Sequence, residues 1–242
     1  MKSILKTFKT IDSTNTYALE HASEFDPSLL TVLYGEEQTK ARGRAGRKWI
    51  SGKGVNLNVT FCSFHQKPFP YLHNFAQVLS LSALEAVLEL GLQPQLKWPN
   101  DLLLNGKKLA GVLTETLSVE DNWMVASGLG INVNLPLEGL KEVSRPATSL
   151  LQETGTPHSI PELLESITAY YKKNLAYLTE EEFPIFLNYY KRHLLHSPGD
   201  LIEFHVDEKV TKGHFHSISD QGTLQMKLPS GEIATFLSGD LI

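Results

Sequence analysis

The sequence predicts an α+β protein, a mixed sheet with helices followed by a small β-rich tail. Three observations lead there. Apolar and polar residues alternate in the first third of the chain, apolar residues recur at helical spacing in the middle and late segments, and only short runs punctuated by turns follow the break at Ser197-Pro198-Gly199-Asp200. A chain of 242 residues can bury one good-sized core and carry a small appendage. The division this implies is 1–197 for the larger unit and 198–242 for the smaller.

Ile4, Phe8 and Ile11 mark an opening strand, and Asp12-Ser13-Thr14-Asn15 sets several capping side chains ahead of Tyr17, Ala18 and Leu19, which reads as a strand-to-helix turn. Leu29 to Tyr34 is a second strand. Val55, Leu57, Val59 and Phe61 alternate with Asn56, Asn58 and Thr60, the pattern of a half-buried strand. Phe75, Val78, Leu79, Ala83, Ala86, Val87 and Leu90 fall on one helical stripe that Gly91 is placed to end. Short strands follow at Leu102 to Leu104, Leu109 to Leu117 and Trp123 to Val133, with a hairpin signal at Asn105-Gly106. Ser159 with Glu162, and Thr179 with Glu182, match the capping-box spacing ahead of Leu163, Ile167, Tyr171 and of Phe186, Tyr190, Leu194, so two late helices are expected. Asp220-Gln221-Gly222, Pro229-Ser230-Gly231 and Ser238-Gly239 supply the turns of the tail.

With 41% hydrophobic and 20% charged residues the chain lies outside the disordered regime, and no run reaches the ~20 apolar residues of a membrane span. A cytoplasmic protein without a membrane partner is expected. The single cysteine, Cys62, excludes an internal disulfide framework and a cysteine metal cage, and its strand setting reads as a small buried residue. The nine histidines are scattered, and His193 with His196, like His214 with His216, lacks a carboxylate or cysteine neighbour at ligand spacing, so metal ligands stay unassigned. A net charge of -5 argues against coating nucleic acid by bulk electrostatics. Its distribution is uneven. Between Gln38 and Leu84 there is no Asp or Glu, while Lys40, Arg42, Arg44, Arg47, Lys48 and Lys53 crowd together.

Three constellations carry chemistry. In Arg42-Gly43-Arg44-Ala45-Gly46-Arg47-Lys48-Trp49 the glycines let backbone approach a ligand and the arginine forks suit phosphate or carboxylate. The segment is neither a Walker A loop nor a dinucleotide fingerprint. An anion site, a solvated basic hairpin tip and a single-strand nucleic-acid segment spanning 40–53 all stay open on these residues alone. In Lys97-Trp98-Pro99-Asn100-Asp101 followed by Gly106-Lys107-Lys108, Lys108 sits where a polar turn meets an apolar strand, a place from which a fixed ammonium can meet an anion. The third is Ser127-Gly128-Leu129-Gly130-Ile131-Asn132, where two glycines inside an apolar strand signal a bulge or a close ligand.

Taken in order, Asp-Ser-Thr-Asn, Gln with Arg-Gly-Arg-x-Gly-Arg-Lys-Trp, Lys-Trp-Pro-Asn-Asp, Lys-Leu-Ala-Gly and Gly-x-Gly-Ile-Asn closely resemble biotin–protein ligases over Ile11 to Asn134. The tail from about Gly199 is similar to that family's C-terminal SH3-like β-barrel. The resemblance implies a class II synthetase-like catalytic domain acting as a biotin–acetyl-CoA-carboxylase ligase. Biotin and ATP would give biotinyl-5′-AMP and pyrophosphate, with Mg²⁺ screening the anions, and a lysine of a biotin carboxyl carrier protein would then take the biotinyl group. Carried over residue by residue, it places Ser13, Thr14, Asn15, Gln38, Arg42, Gly43, Arg44, Lys108, Gly128 and Gly130 around biotin. It places Arg44, Arg47, Lys48, Trp49, Asn100 and Asn132 around the nucleotide, with Lys108, Arg44 and Arg42 as the catalytic set.

Two positions depart from the family loop. Ala41 stands where a glycine is common, which predicts a differently shaped entry, and Ala45 stands where some members carry arginine. Because the chain begins almost at its first strand, a monofunctional form without an N-terminal DNA-binding domain and without DNA as a partner is expected. A homodimer is left open. The enzyme alternative is a lipoate–protein ligase or octanoyl transferase, the latter needing a reactive cysteine that Cys62 does not resemble. The non-enzyme alternative is a nucleic-acid-binding module using the basic loop.

Overall fold

The computed structural model describes residues 1–143, 145–206 and 209–241. Along the chain run β1 (Lys2–Phe8), α1 (Thr14–Glu20), β2 (Leu29–Gly35), β3 (Asn56–Gln66), α2 (Phe75–Glu89), β4 (Gln95–Lys97), β5 (Asp101–Leu104), β6 (Lys107–Val119) and β7 (Asn122–Asn132). The short helices α3 (Leu137–Leu140) and α4 (Leu150–Thr154) precede α5 (Ile160–Glu180) and α6 (Pro184–Arg192). The tail holds β8 (Leu201–Val206), β9 (Lys209–Ile218), β10 (Leu224–Lys227), β11 (Ile233–Phe236) and β12 (Asp240–Leu241).

The first seven strands form one mixed sheet in the order β1-β2-β3-β7-β6-β5-β4, with β1 and β2 parallel and the other neighbours antiparallel. Side-chain alternation sends Leu57, Val59 and Phe61 of β3, with Val125, Leu129 and Ile131 of β7, to one face, where α2 and α5 cover them. There Phe61 packs on Tyr171 with ring centroids 4.9 Å apart, and burying each such ring contributes ~2 kcal/mol. On the other face α1 covers only part of the sheet, resting on Cys62, Met124 and Ala126. The remainder of that face forms the site described below.

Most of the expected elements are present, including the Asn105-Gly106 hairpin, whose residues take φ 51° and 74° as a type I′ turn demands. Two expectations need correction. β3 is not half-buried: Asn56, Asn58 and Thr60 are 0%, 1% and 0% exposed, because their face lies under the 36–51 segment and α1 and not under water. Thr179 caps nothing. It lies inside α5, where its hydroxyl donates back to Leu175 O and Ala176 O, and α6 starts instead with Pro184 in its first turn after Glu182 at φ 65°. A Thr-x-x-Glu spacing fits a helix interior as well as a helix start, and only hydrogen bonding separates the two.

Cys62 is fully buried, and burial pushes its thiol up to about 12, so it is no nucleophile at neutral pH. His65, held against Phe69 and Phe75 with Nε2 2.9 Å from Ser63 Oγ, is pushed down to about 4 by desolvation, from 6.5. Between those values the unfolded chain binds a proton that the folded chain refuses, so this contribution is full above pH 6.5 and is lost as pH falls toward 4. Urea titrations at pH 7 and pH 5 are expected to show a fall in stability that His65→Gln reduces. An equal fall in the variant would assign the acid sensitivity elsewhere.

The tail forms a five-stranded sheet, β11-β10-β9-β8-β12. Its Asp220 to Thr223 turn is seated by polar side chains: Asn74 Nδ2 donates to Gln221 O, while Gln77 Nε2 and Trp98 Nε1 both donate to Gly222 O. Gly222 has φ +76° and its Cα lies so close to Asn74 and Gln77 that a Cβ would fall within 2.5 Å of both, so no other residue fits.

Candidate functional site

The site lies on the α1 side of the large sheet, where register alone brings small residues into rows. Gly111 of β6 pairs with Gly130 of β7, which pairs with Asn58 of β3; the next row is Leu113, Gly128 and Thr60. Glycines in two adjacent rows leave a trough. The space above them is already taken up: a Cβ on Gly128 would stand 2.2 Å from Asn15 Oδ1, and one on Gly130 would stand 2.5 Å from Trp49 Cε2. The trough opens into a cavity of about 320 Å³, within the range of small-molecule sites.

One end of the cavity is polar and uncharged. Ser13 caps α1 by accepting from Thr16 N, and this places Ser13 and Asn15 on the cavity wall. Gln38 Oε1 accepts from Thr14 N at 2.7 Å and from Thr14 Oγ1 at 3.1 Å, which leaves its Nε2 without a protein acceptor among the described residues. Thr14 itself does not line the cavity. It sits behind Gln38, with its hydroxyl 2.7 Å from Thr60 Oγ1, because the capping turn points Ser13 and Asn15 outward and Thr14 inward.

The other end is cationic. The 42–49 loop closes on itself through Gly43 N to Arg47 O at 2.7 Å and Trp49 N to Ala41 O at 3.1 Å, and folds over the trough. Ala45 and Gly46 take φ 52° and 70°, so the strained non-glycine is Ala45, at ~1 kcal/mol, while Ala41 has negative φ and is 7% exposed. That is the φ range the Ala41 side chain requires. The loop is tied down at several points although Arg42, Ala45, Gly46, Arg47 and Lys48 stay exposed. Arg42 meets Glu115 at 2.9 Å, Arg44 donates to Asn100 Oδ1 and Gly239 O, and Arg47 grips both oxygens of Asp240. Burial pulls the Asp240 carboxyl upward, but the Arg47 hydrogen bond and the charges of Arg47 and Arg44 outweigh it and hold it below its usual range.

Lys108 closes the floor. Its Nζ lies 2.5 Å from Asp101 Oδ1 and 5.9 Å from the centre of the Trp49 ring, and a Cβ at Gly111 would sit 3.1 Å from it. Backbone fixes the lysine from both sides, since Lys108 N donates to Pro146 O and Thr148 N donates to Lys108 O. Asn132 also lines the cavity, but its amide is spent on Asn56 and on Thr148 O. Lys48 lines it from an exposed position.

Ser13, Asn15, Gln38, Arg42, Gly43, Arg44, Arg47, Lys48, Trp49, Asn100, Lys108, Gly128, Gly130 and Asn132 thus converge on one cavity. Sequence reasoning missed Asp240 and Arg145 there, and also Glu115, which does not line the cavity itself but accepts hydrogen bonds from Asn15 and Arg42, which do. Glu115 had a signal: it shares the parity of Gly111 on β6 and faces the same way. Asp240 had none, since only the fold brings the tail to the loop. Releasing that contact with Asp240→Ala is expected to speed tryptic cleavage after Arg44 or Arg47 at least about threefold in the ligand-free protein. Unchanged cleavage would mean that the loop's own backbone bonds hold it.

Residues 7–132 match the family model described as the Biotin/lipoate A/B protein ligase family. The chain belongs to this family. The ligase is 32% identical over 241 residues to the bifunctional ligase/repressor BirA of Bacillus spizizenii, covering 96% of this chain and 71% of that one. It is 31% identical to a biotin–[acetyl-CoA-carboxylase] ligase of Paracoccus denitrificans, over 91% of this chain and 92% of that one. A solved biotin protein ligase from Aquifex aeolicus, in complex with biotin and ATP, superposes with a TM-score of 0.80 at 33% identity, covering 98% of this chain and 97% of that chain. Among the described residues of the ligase no helix is long and apolar enough to cross a membrane.

Proposed function

We propose that this chain is an ATP-dependent biotin–protein ligase that makes biotinyl-5′-AMP and passes the biotinyl group to a lysine of a biotin carboxyl carrier domain. The observation that carries this reading is the division of one cavity into a neutral polar end, Ser13, Asn15 and Gln38, and a cationic end, Lys108 with the arginines of the loop. A neutral ring system with hydrogen-bonding edges suits the first, and a carboxylate meeting a nucleoside triphosphate suits the second.

In the first step a carboxylate oxygen attacks the α-phosphorus, the new O–P bond forms, and the bond to pyrophosphate breaks. Both reactants are anions, so fixed positive charge lowers the barrier. Lys108, tethered to Asp101, stands between the trough and the loop and holds oxygens of both partners. Arg42 and Arg44 meet the carboxylate and the adenylate phosphate, while Arg47, Trp49 and Asn100 bound the nucleotide. In the second step the carrier's lysine amine attacks the acyl carbon and AMP leaves.

Asp101 also fits a Mg²⁺ ion brought in with the nucleotide, since such ions take one or two carboxylates and complete their shell with phosphate and water. Bound there, the ion would screen phosphate charge. Among the described residues no cluster of three ligating side chains exists for a resident metal.

Incubating the chain with biotin, ATP, Mg²⁺ and a biotin carboxyl carrier domain is expected to release pyrophosphate and add one biotinyl group per carrier, read by mass spectrometry. Transfer of lipoate or octanoate in place of biotin would move the substrate assignment within the family. Strong, salt-dependent binding of single-stranded nucleic acid without ligation would favour the binding-module reading.

A further inference from the structure

Glu115 has no part in the ligand contacts assigned above, yet it touches two residues that do. It is the third inward-facing residue of the β6 row that begins with Gly111 and Leu113, and it stands opposite Ala126, where the cover of α1 takes over from the open trough. Its Oε2 accepts from Asn15 Nδ2 at 3.0 Å, a group that also donates to Leu113 O at 3.0 Å. Both of its oxygens, at 3.0 and 2.9 Å, accept from a single nitrogen of Arg42, Nη2.

That geometry is uneven in a useful way. A carboxylate facing a guanidinium commonly takes two of its nitrogens side by side. Here only Nη2 is engaged, and Nε and Nη1 of Arg42 have no acceptor among the described residues. The guanidinium is thus held by one corner with its remaining donors available at the cavity. Asn15 is fixed by the same carboxylate with its Oδ1 toward Thr60 and over Gly128, 2.2 Å from where a Cβ would stand.

We propose that Glu115 is a positioning residue of the ligase, holding Arg42 by one nitrogen so that its other donors face the acyl carboxylate, and setting Asn15 over the trough. This rests on the reading of the site as a biotin-activating one. Without Glu115, Arg42 is a long side chain over one third exposed, free to sample solvent, and an incoming carboxylate must order it afresh. The loss falls on substrate capture. The reacting phosphate and Lys108 are untouched.

The test is the cycle of Glu115→Gln, Arg42→Ala and the double variant, followed by biotin KM and kcat for pyrophosphate release, with Tm as a control. Glu115→Gln keeps the shape and an acceptor for Asn15 but loses the charge that holds Arg42. It is expected to raise KM for biotin about tenfold with kcat within about twofold, the size of one charge-assisted hydrogen bond. In the Arg42→Ala background the same change is expected to have no further effect. An unchanged KM, or the same tenfold rise without Arg42, overturns the proposal. Should Glu115→Gln lower Tm, Glu115→Asp, which keeps the charge but shortens its reach, must show the KM rise at unchanged Tm, or the proposal falls. A parent enzyme that releases no pyrophosphate with biotin overturns the ligase reading and this proposal together; a parent that is active and variants that do not couple overturn this proposal alone.

Discussion

Replacing Lys108 with alanine is expected to slow biotinyl-adenylate formation by ~100-fold or more while leaving biotin binding within a few-fold of the parent. The size follows from what the ammonium does. It is a preorganised charge in a part-buried site, its side chain 29% exposed, pinned by Asp101 and by backbone on both sides of residue 108. Removing one such donor from a transition state costs ~10²–10³ in kcat, far more than removing a ground-state contact, because the charge it meets develops only as the phosphoryl group moves. Single-turnover pyrophosphate release, beside calorimetric titration with biotin, separates the two quantities. A rate within about threefold of the parent would take Lys108 out of the chemistry while leaving the family assignment intact.

The second large effect is steric. Gly130→Val is expected to abolish most adenylate formation and to lower stability by ~1–3 kcal/mol. A Cβ at residue 130 would lie 2.5 Å from Trp49 Cε2 and 2.7 Å from Trp49 Nε1, inside any permitted contact. The indole cannot retreat without dragging the loop, because Trp49 N donates to Ala41 O and the loop is tied beyond it to Asn100 and Asp240. The predicted outcome at Gly128 differs in kind. There the clash is with Asn15 Oδ1 at 2.2 Å, so Gly128→Ala is expected to damage biotin binding first and the loop little. Biotin and ATP titrations of the two variants, with denaturation curves, check the pair. Gly130→Val with parental ATP binding would mean that the ring of Trp49 is not a wall of the nucleotide end.

Local chemistry wrote several features directly into the sequence. The Ser13 cap follows from a run of side chains that can accept a helix-start N–H, and the Asn105-Gly106 turn follows from two residues that tolerate positive φ. The glycines at 128 and 130 announced a bulge or a close approach, and unbroken register with Asn15 and Trp49 lying over them decides for the second. The loop's positive charge was likewise legible, while its place on the cavity wall was not. Thr179 shows the limit of such reading: its spacing to Glu182 was correct for a cap, and the chain spent it inside α5.

What the sequence by itself determined is which local conformations the chain prefers and which chemical groups it owns: an α+β order of elements, a cationic loop with no acidic residue within it, a lysine at a turn and a pair of strand glycines. These depend on residues within a few positions of one another, so they survive without knowledge of the rest. Only the tertiary structure decided what those groups face. The acid-free stretch from Gln38 to Leu84 obtains counter-ions from Asp12 before it, from Glu115, on a strand some seventy residues on, and from Asp240, at the far end of the chain. The same holds for the polar face of β3, read as solvent-facing and found buried, since alternation gives two faces and says nothing of what covers each. Electrostatic pairing and burial act through space, and sequence separation carries no information about either until register and packing have placed the strands.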